Sequence, residues 1–246
     1  MKTEQAITRK IDQVMLNENA QREAEHESGT GLTASGLWNP SRTWLLKYLK
    51  IPKKQLDPFT LRKFARGRSV EDWYTDKLEK AGVLVNKQVA VEYRGCKGFA
   101  DVIIKHDDLD FKLGEVPHEV KSITNAHFRR IIKTGDINYS YHLQACLYAL
   151  GLGTDHYGLD IIASDDMREM VTLYETKLMK KAVNQLISEH QVVIENWLND
   201  RTVPNWQVRE KWQDIPMYMN YDEKWARFTQ SQFIKEVEAI ESQNAK

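Results

Sequence analysis

Residues 98–105 read GFADVIIK and residues 115–123 read EVPHEVKSI. Each is a short run rich in Val and Ile, bounded by glycine or polar residues, and each fits a strand on a half-buried sheet. The run VLVNKQVAVEYR at 83–94 is a further strand, joined to 98–105 through the turn RGCKG as a hairpin. HDDLDFKLG (106–114) is the polar turn that leads into 115–123.

Outward from these strands the period becomes helical. DPFTLRKFARGRSVEDWYTDKLEKAG (57–82) predicts a long helix ending at Gly82. Residues 125–153 return to helical spacing, with the best helix from about 138 to 150. YGLDIIAS (157–164) and EMVTLYETK (169–177) predict a second strand pair, and 179–200 a long amphipathic helix. In 32–50 a loop runs into a short helix that Ser41 is placed to cap, with Trp44, Leu45, Tyr48 and Leu49 at helical spacing. This order predicts an α/β fold, a small central mixed β-sheet flanked by helices. The chain divides into a polar lead-in (1–30), a core (31–200) and a Trp-rich extension (201–246). That extension holds Trp206, Trp212 and Trp225 and ends in a helix around Phe233, Val237 and Ile240.

The chain has 246 residues, 41% hydrophobic and 28% charged, enough apolar content for a sizeable core. Lys+Arg and Asp+Glu are both 35, so a nucleic-acid surface has to be a local patch. Mean hydropathy of −0.58, with no long apolar run, excludes a membrane span. Cys96 and Cys146 are the only cysteines and neither belongs to a CxxC, which excludes a disulfide scaffold and a Cys-rich zinc site. A cytoplasmic protein is expected.

The chemistry-bearing residues are ordered along the strands. Asp101 opens the apolar run Val102-Ile103-Ile104, and Glu119-Val120-Lys121 lies on the next strand. Strand alternation puts Glu119 and Lys121 on one face. If Asp101 sits on the neighbouring strand, two carboxylates and an amine converge. Carboxylate oxygens of this kind suit Mg²⁺ or Mn²⁺, which stabilise charge developing on a phosphoryl group and activate water. ExK alone is equally a surface-strand ion pair, and it recurs as Glu175-Thr176-Lys177, a decoy. Two further elements strengthen the first copy. Gln144 and Tyr148, four apart, share a helix face. Gly67-Arg68-Ser69-Val70-Glu71 places a carboxylate on a helix after a glycine expected to permit close backbone approach; Asp72 and Asp76 are its rivals.

The ordered set GxxxE, GxxD, ExK and QxxxY over residues 32–195 resembles the RecB-type branch of the PD-(D/E)xK nuclease superfamily, which includes lambda-type phage exonucleases and CRISPR adaptation nucleases. The resemblance implies a restriction-endonuclease-like core and metal-dependent phosphodiester hydrolysis that leaves a 5′-phosphate. It implies that Glu71, Asp101, Glu119 and the Val120 carbonyl hold one or two Mg²⁺ or Mn²⁺ ions. Lys121 is then the catalytic lysine, and Gln144 positions the lysine, the water or a phosphate. Tyr148 lines the edge of a DNA channel. The stretch SGLWNPSRTWLLKYL resembles the segment that carries the first cluster cysteine in iron–sulfur members; Asn39 stands in that place, and no cluster is expected.

Residues 41–68 carry nine Lys and Arg against Asp57 alone, interleaved with Trp44, Tyr48, Phe59 and Phe64. A basic and aromatic mixture suits a groove that tracks single strands. Arg42, Lys47, Arg66 and Arg68 are expected on DNA, as are Arg129, Arg130 and Lys133 after the ExK strand. The expected activity is a DNA exonuclease of recombination, repair or phage DNA processing, in the host cytoplasm if phage-encoded. A single-strand annealing or recombination protein is a possible partner, and an oligomer is compatible. An endonuclease on the same fold and a non-catalytic DNA-binding subunit stay open as alternatives.

Overall fold

The computed structural model describes residues 2–25, 30–106, 113–205, 221–222 and 224–244. Trp206 and Trp212 lie outside the described residues. The described part of the lead-in holds helix α1 (Lys2–Glu25), followed by α2 (Ser41–Tyr48) and α3 (Pro58–Lys80). Strands β1 (Leu84–Tyr93), β2 (Cys96–Lys105) and β3 (Glu115–Ile123) come next. Helices α4 (Asn125–Thr134) and α5 (Tyr139–Leu152) lead to β4 (His156–Ala163) and β5 (Glu169–Glu175). The described chain closes with α6 (Lys180–Asp200), α7 (Lys224–Arg227) and α8 (Gln230–Asn244).

Local chemistry sets the helix boundaries. Asp57 caps α3 by accepting from Thr60 N at 3.0 Å, with Pro58 in the first turn where a missing N–H does no harm. Gly82, at φ 72°, ends the run as expected. Residues 125–153 form two helices because Gly135 takes φ 67° and closes α4. For α2 the expectation needs correction: the capping position is Pro40, and Ser41 is already the first helical residue.

The five strands form one sheet in chain order, β1-β2-β3-β4-β5. The β3–β4 pair is parallel and the other three are antiparallel, so the sheet is mixed. The parallel pair follows from connectivity, because α4 and α5 return the chain to the same end before β4 begins. One face packs against α5 and α6 through Ala100, Leu143, Leu147, Leu159 and Ile161. The opposite face packs on α3, with Val70, Tyr74 and Leu78 against Val102, Ile104, Val120 and Ile162. A third cluster joins Leu45 and Leu46 of α2 and Trp197 of α6 to Trp225, Phe233 and Val237. Trp225 is therefore a core residue.

Arg42 corrects an expectation. Placed on the DNA surface by its sequence context, it is 5% exposed. It donates to the carbonyls of Pro204 (3.0 Å), Trp225 (3.1 Å) and Phe228 (3.0 Å). Its five-donor fork serves three backbone carbonyls beside the third cluster and ties α2 to the C-terminal segment.

Candidate active site

The site lies where two strands part. β2 and β3 pair from Lys105↔Glu115 to Val102↔His118, and no pair follows. Past that point β2 stays on β1 while β3 continues along β4. The parting leaves the Val120 N–H to a side chain: Asp101 Oδ2 accepts it at 2.8 Å. A buried backbone donor needs an acceptor, and this one draws a carboxylate into the gap. Asp101 is thereby fixed beside the residue that follows Glu119.

Glu119 projects from β3 toward α5 and is fully buried. Lys121, two residues on and on the same face, pairs with Glu119 Oε1, its ammonium 5.3 Å from the centre of the Tyr141 ring. Beyond this ion pair, neither Glu119 oxygen accepts a hydrogen bond of normal geometry. Glu71 arrives from α3. Gln88 on β1 donates to Glu71 Oε1 at 2.8 Å and reaches Asp101 Oδ1 at 3.4 Å, joining α3 to β2.

Gln88 is the residue that sequence reasoning missed. Its φ is 49°, a conformation that non-glycine residues seldom adopt, held here within a strand. The signal available was the break in apolar alternation at Asn86-Lys87-Gln88, in the middle of an otherwise clear strand.

Three carboxyls strain against one another. Burial pushes the Glu119 carboxyl up to about 8, with Asp101 and Glu71 adding to the rise and Lys121 opposing it. Burial likewise raises Asp101, opposed by Lys121. Glu71 is raised by burial and then by Asp101. Burial works against the Lys121 charge, but Glu119 and Asp101 outweigh it and hold the ammonium above its ordinary range. The cluster is short of positive charge: three acids gather around a single amine.

A hard divalent cation fits that chemistry, because the donors are oxygens and three acids share one amine. Among the described residues, no three His, Cys, Asp or Glu side chains are spaced to cage an ion as they stand. Glu119 is instead turned onto Lys121.

The other expected residues divide. Gln144 Nε2 donates to Tyr148 Oη at 2.7 Å, so its described partner is the tyrosine rather than Lys121. Tyr148 is 2% exposed, which corrects its placement at the edge of a channel. It packs behind the site, and a Cβ on Gly98 would come within 2.8 Å of its ring. The glycine of GxxD is thus a packing requirement. Gly67 is not: a Cβ there would meet nothing within 4 Å, so close backbone approach does not explain it. Asp76 bonds Lys80 at 2.8 Å and Asp72 is exposed, which leaves Glu71 as the α3 acid in the cluster. Glu175 and Lys177, the decoy copy, pair with each other on the surface.

Arg66, Arg68, Arg129, Arg130 and Lys133 are exposed on α3 and α4. Arg68 and Phe64 stand on the same face of α3 as Glu71, one and two turns before it. Lys47 departs from expectation. It is half-buried, its ammonium 3.4 Å from Thr33 Oγ1, and it lines a cavity away from the carboxyls. No helix among the described residues is long and apolar enough to cross a membrane.

No family model matches the chain, and no curated protein matches it. Solved structures do. An alkaline exonuclease, LHK-Exo from Laribacter hongkongensis, is 16% identical with a TM-score of 0.46, covering 69% of this chain and 92% of its own. The crystal structure of LHK-Exo in complex with dAMP gives 14% and 0.47, covering 68% and 89%. SSO0001 gives 14% and 0.48, covering 85% and 97%. Similarity at this level assigns neither a family nor a chemistry.

Proposed function

We propose that this chain is a Mg²⁺- or Mn²⁺-dependent deoxyribonuclease of the PD-(D/E)xK kind, working on DNA ends in recombination, repair or phage DNA processing. The observation that carries the reading is the meeting of Glu71, Asp101 and Glu119, from a helix and two parting strands, around the single amine of Lys121. An electron-rich, partly buried cluster of this composition has little use as a structural element and suits a phosphodiester held by a cation.

Glu71, Asp101 and Glu119, with the Val120 carbonyl, would hold the ion. When bound, the ion supplies charge stabilisation at the phosphoryl oxygens and lowers the pKa of water. The protein's own residues do the remainder. Asp101 is held rigid by the Val120 N–H. Gln88 keeps Glu71 within reach of Asp101. Lys121, whose ammonium Glu119 and Asp101 favour, is placed to orient water and offset phosphate charge. Arg68 and Phe64, exposed beside Glu71, give the backbone and a base something to rest on.

Digestion of end-labelled linear duplex and single-stranded DNA in Mn²⁺ tests the proposal, with covalently closed circles alongside. The reading expects linear DNA to be degraded, circles to be spared, and both Asp101→Asn and Lys121→Ala to be inactive. Cleaved circles would favour the endonuclease alternative. Binding in EDTA without cleavage in either metal would favour the non-catalytic subunit. Activity that rises when an annealing protein is added would place the chain within a complex.

A further inference from the structure

Four buried polar side chains lie between the sheet and α3, outside the carboxyl cluster. His106, directly after β2, stands 2.9 Å from His118 of β3, Nε2 to Nε2. His118 Nδ1 stands 2.7 Å from Asp160 Oδ1 of β4. The Tyr74 phenol of α3 meets the same carboxyl, and burial first and Asp160 second hold its proton on. As a carboxylate Asp160 only accepts, so His118 donates from Nδ1, its Nε2 accepts, and His106 donates from Nε2. Asp160 Oδ2 accepts no hydrogen bond of normal geometry, which leaves that carboxyl room for a donor from the helix.

The elements this chain of groups joins are those that carry the acids. Asp101 is on β2, Glu119 follows His118 on β3, and Glu71 precedes Tyr74 by one turn on the same face of α3. Most of what holds α3 to this side of the sheet is apolar: Val70 and Leu78 against Val102, Ile104, Val120 and Ile162. Apolar contact is non-directional and tolerates sliding. A slip of one residue would move the helix about 1.5 Å along its axis and turn it by about 100°. That is enough to part Glu71 from Gln88, which bonds it at 2.8 Å and reaches Asp101 at 3.4 Å. A phenol on a carboxyl that is itself fixed by His118 is directional, and it selects one register.

We propose that Tyr74, through Asp160 and His118, is a positioning residue of the acid cluster: it fixes α3 on the sheet so that Glu71 stands beside Asp101 and Glu119. Gln88 holds the end of the Glu71 side chain, and Tyr74 holds the backbone from which that side chain springs. The inference rests on the proposed function, in which Glu71 is a cation ligand, and adds what sets that ligand's place. Tyr74 acts through Glu71 alone, so its loss is felt in cation affinity before it is felt in DNA binding.

The test uses the full chain and Tyr74→Phe, which keeps the ring in the apolar cluster and removes only the hydroxyl. Ile162→Val, a packing loss in the same cluster with no polar change, is the control. Crystal structures of the wild type and Tyr74→Phe are compared without metal, and Mn²⁺ is titrated by calorimetry into all three proteins. The expected result is a folded Tyr74→Phe whose α3 has moved on the sheet, with the Gln88–Glu71 bond lost and Mn²⁺ affinity at least tenfold lower. Ile162→Val is expected to keep the wild-type affinity. In DNA digestion, raising Mn²⁺ is expected to recover most of the Tyr74→Phe loss, with KM for DNA unchanged. Asp160→Asn provides a second reading, and the double variant is expected to be no worse than the weaker single one. Glu71 in its wild-type place in Tyr74→Phe overturns the inference, as does equal Mn²⁺ affinity in wild type and Tyr74→Phe, or an equal loss in Ile162→Val. A wild type that binds no Mn²⁺ would remove the nuclease reading, and the paired crystal structures would still decide whether Tyr74 places Glu71.

Discussion

His118 and Glu119 are neighbours on β3, both fully buried and both ionisable, yet they live in opposite worlds. His118 faces α3. Its Nδ1 lies 2.7 Å from Asp160 and its Nε2 lies 2.9 Å from His106, with the two imidazoles stacked 8° from parallel. Tyr74 from α3 packs against the same group, its phenol raised by burial and by Asp160. Glu119 faces α5, where the Lys121 ammonium is set against two further acids, Asp101 and Glu71. One peptide bond separates a buried imidazole bonded at both ring nitrogens from a buried carboxyl held by one ion pair among other acids. The pleat makes this possible, since adjacent side chains leave the sheet on opposite sides. A polar residue buried with matched partners serves the fold.

The comparison breaks most visibly in catalysis. Asp101→Asn, Glu119→Gln and Lys121→Ala are each expected to cut DNA hydrolysis by about 10³-fold or more, the scale of several kcal/mol of lost charge stabilisation. Far-UV circular dichroism is expected to stay unchanged, and any of the three retaining full activity would remove the site. Stability then separates the two faces. His118→Ala strands Asp160 without its partner and is expected to lower denaturant stability by about 3–5 kcal/mol. Glu119→Gln, which removes a carboxyl whose charged form burial disfavours, is expected to leave metal-free stability equal or higher. Gly158→Ala sharpens the point on the His118 side. A Cβ there would come within 2.1 Å of His118 Nδ1, so the histidine has to leave its place, and a loss comparable to His118→Ala is expected in the same unfolding experiment.

Gln88→Ala is expected to lower activity about tenfold to a hundredfold while leaving the protein folded, as loss of a group that orients ligands does. The same carboxyl also sets a pH dependence. Glu119 titrates near 8 in the folded protein, while an exposed glutamate in the unfolded chain titrates near 4.5. Between these values the folded form holds a proton that the unfolded form has released. Metal-free stability should therefore be greatest below about pH 4.5 with respect to this group and decline as pH rises toward 8. Thermal melts from pH 5 to 9 check it, and the decline is expected to flatten in Glu119→Gln.

Much of this was legible beforehand. Asp101, Glu119 and Lys121 could be placed together because strand alternation and hairpin connectivity are local rules. Gly82 ends α3 for a reason visible in the chain. Arg42 and Lys47 were not legible. Both sit in a strongly basic segment, but α2 is buried on most of its circumference, and long-range carbonyls claimed Arg42 from 162 residues away. Gln88 escaped because its importance lies in an unusual backbone angle and in two partners from other elements. The parting of β2 from β3, which creates the gap Asp101 enters, is a tertiary event that no window of sequence reports.

On the proposed function, Glu71, Asp101 and Glu119 bind a divalent cation. Calorimetric titration of Mn²⁺ into the wild type and Glu119→Gln at pH 7, in buffers of different ionisation enthalpy, tests it directly. The account predicts saturable binding by the wild type with release of a proton, because Glu119 must give one up to become a ligand, and loss of both in Glu119→Gln. Binding of equal strength in the two proteins, or none in the wild type, would contradict it.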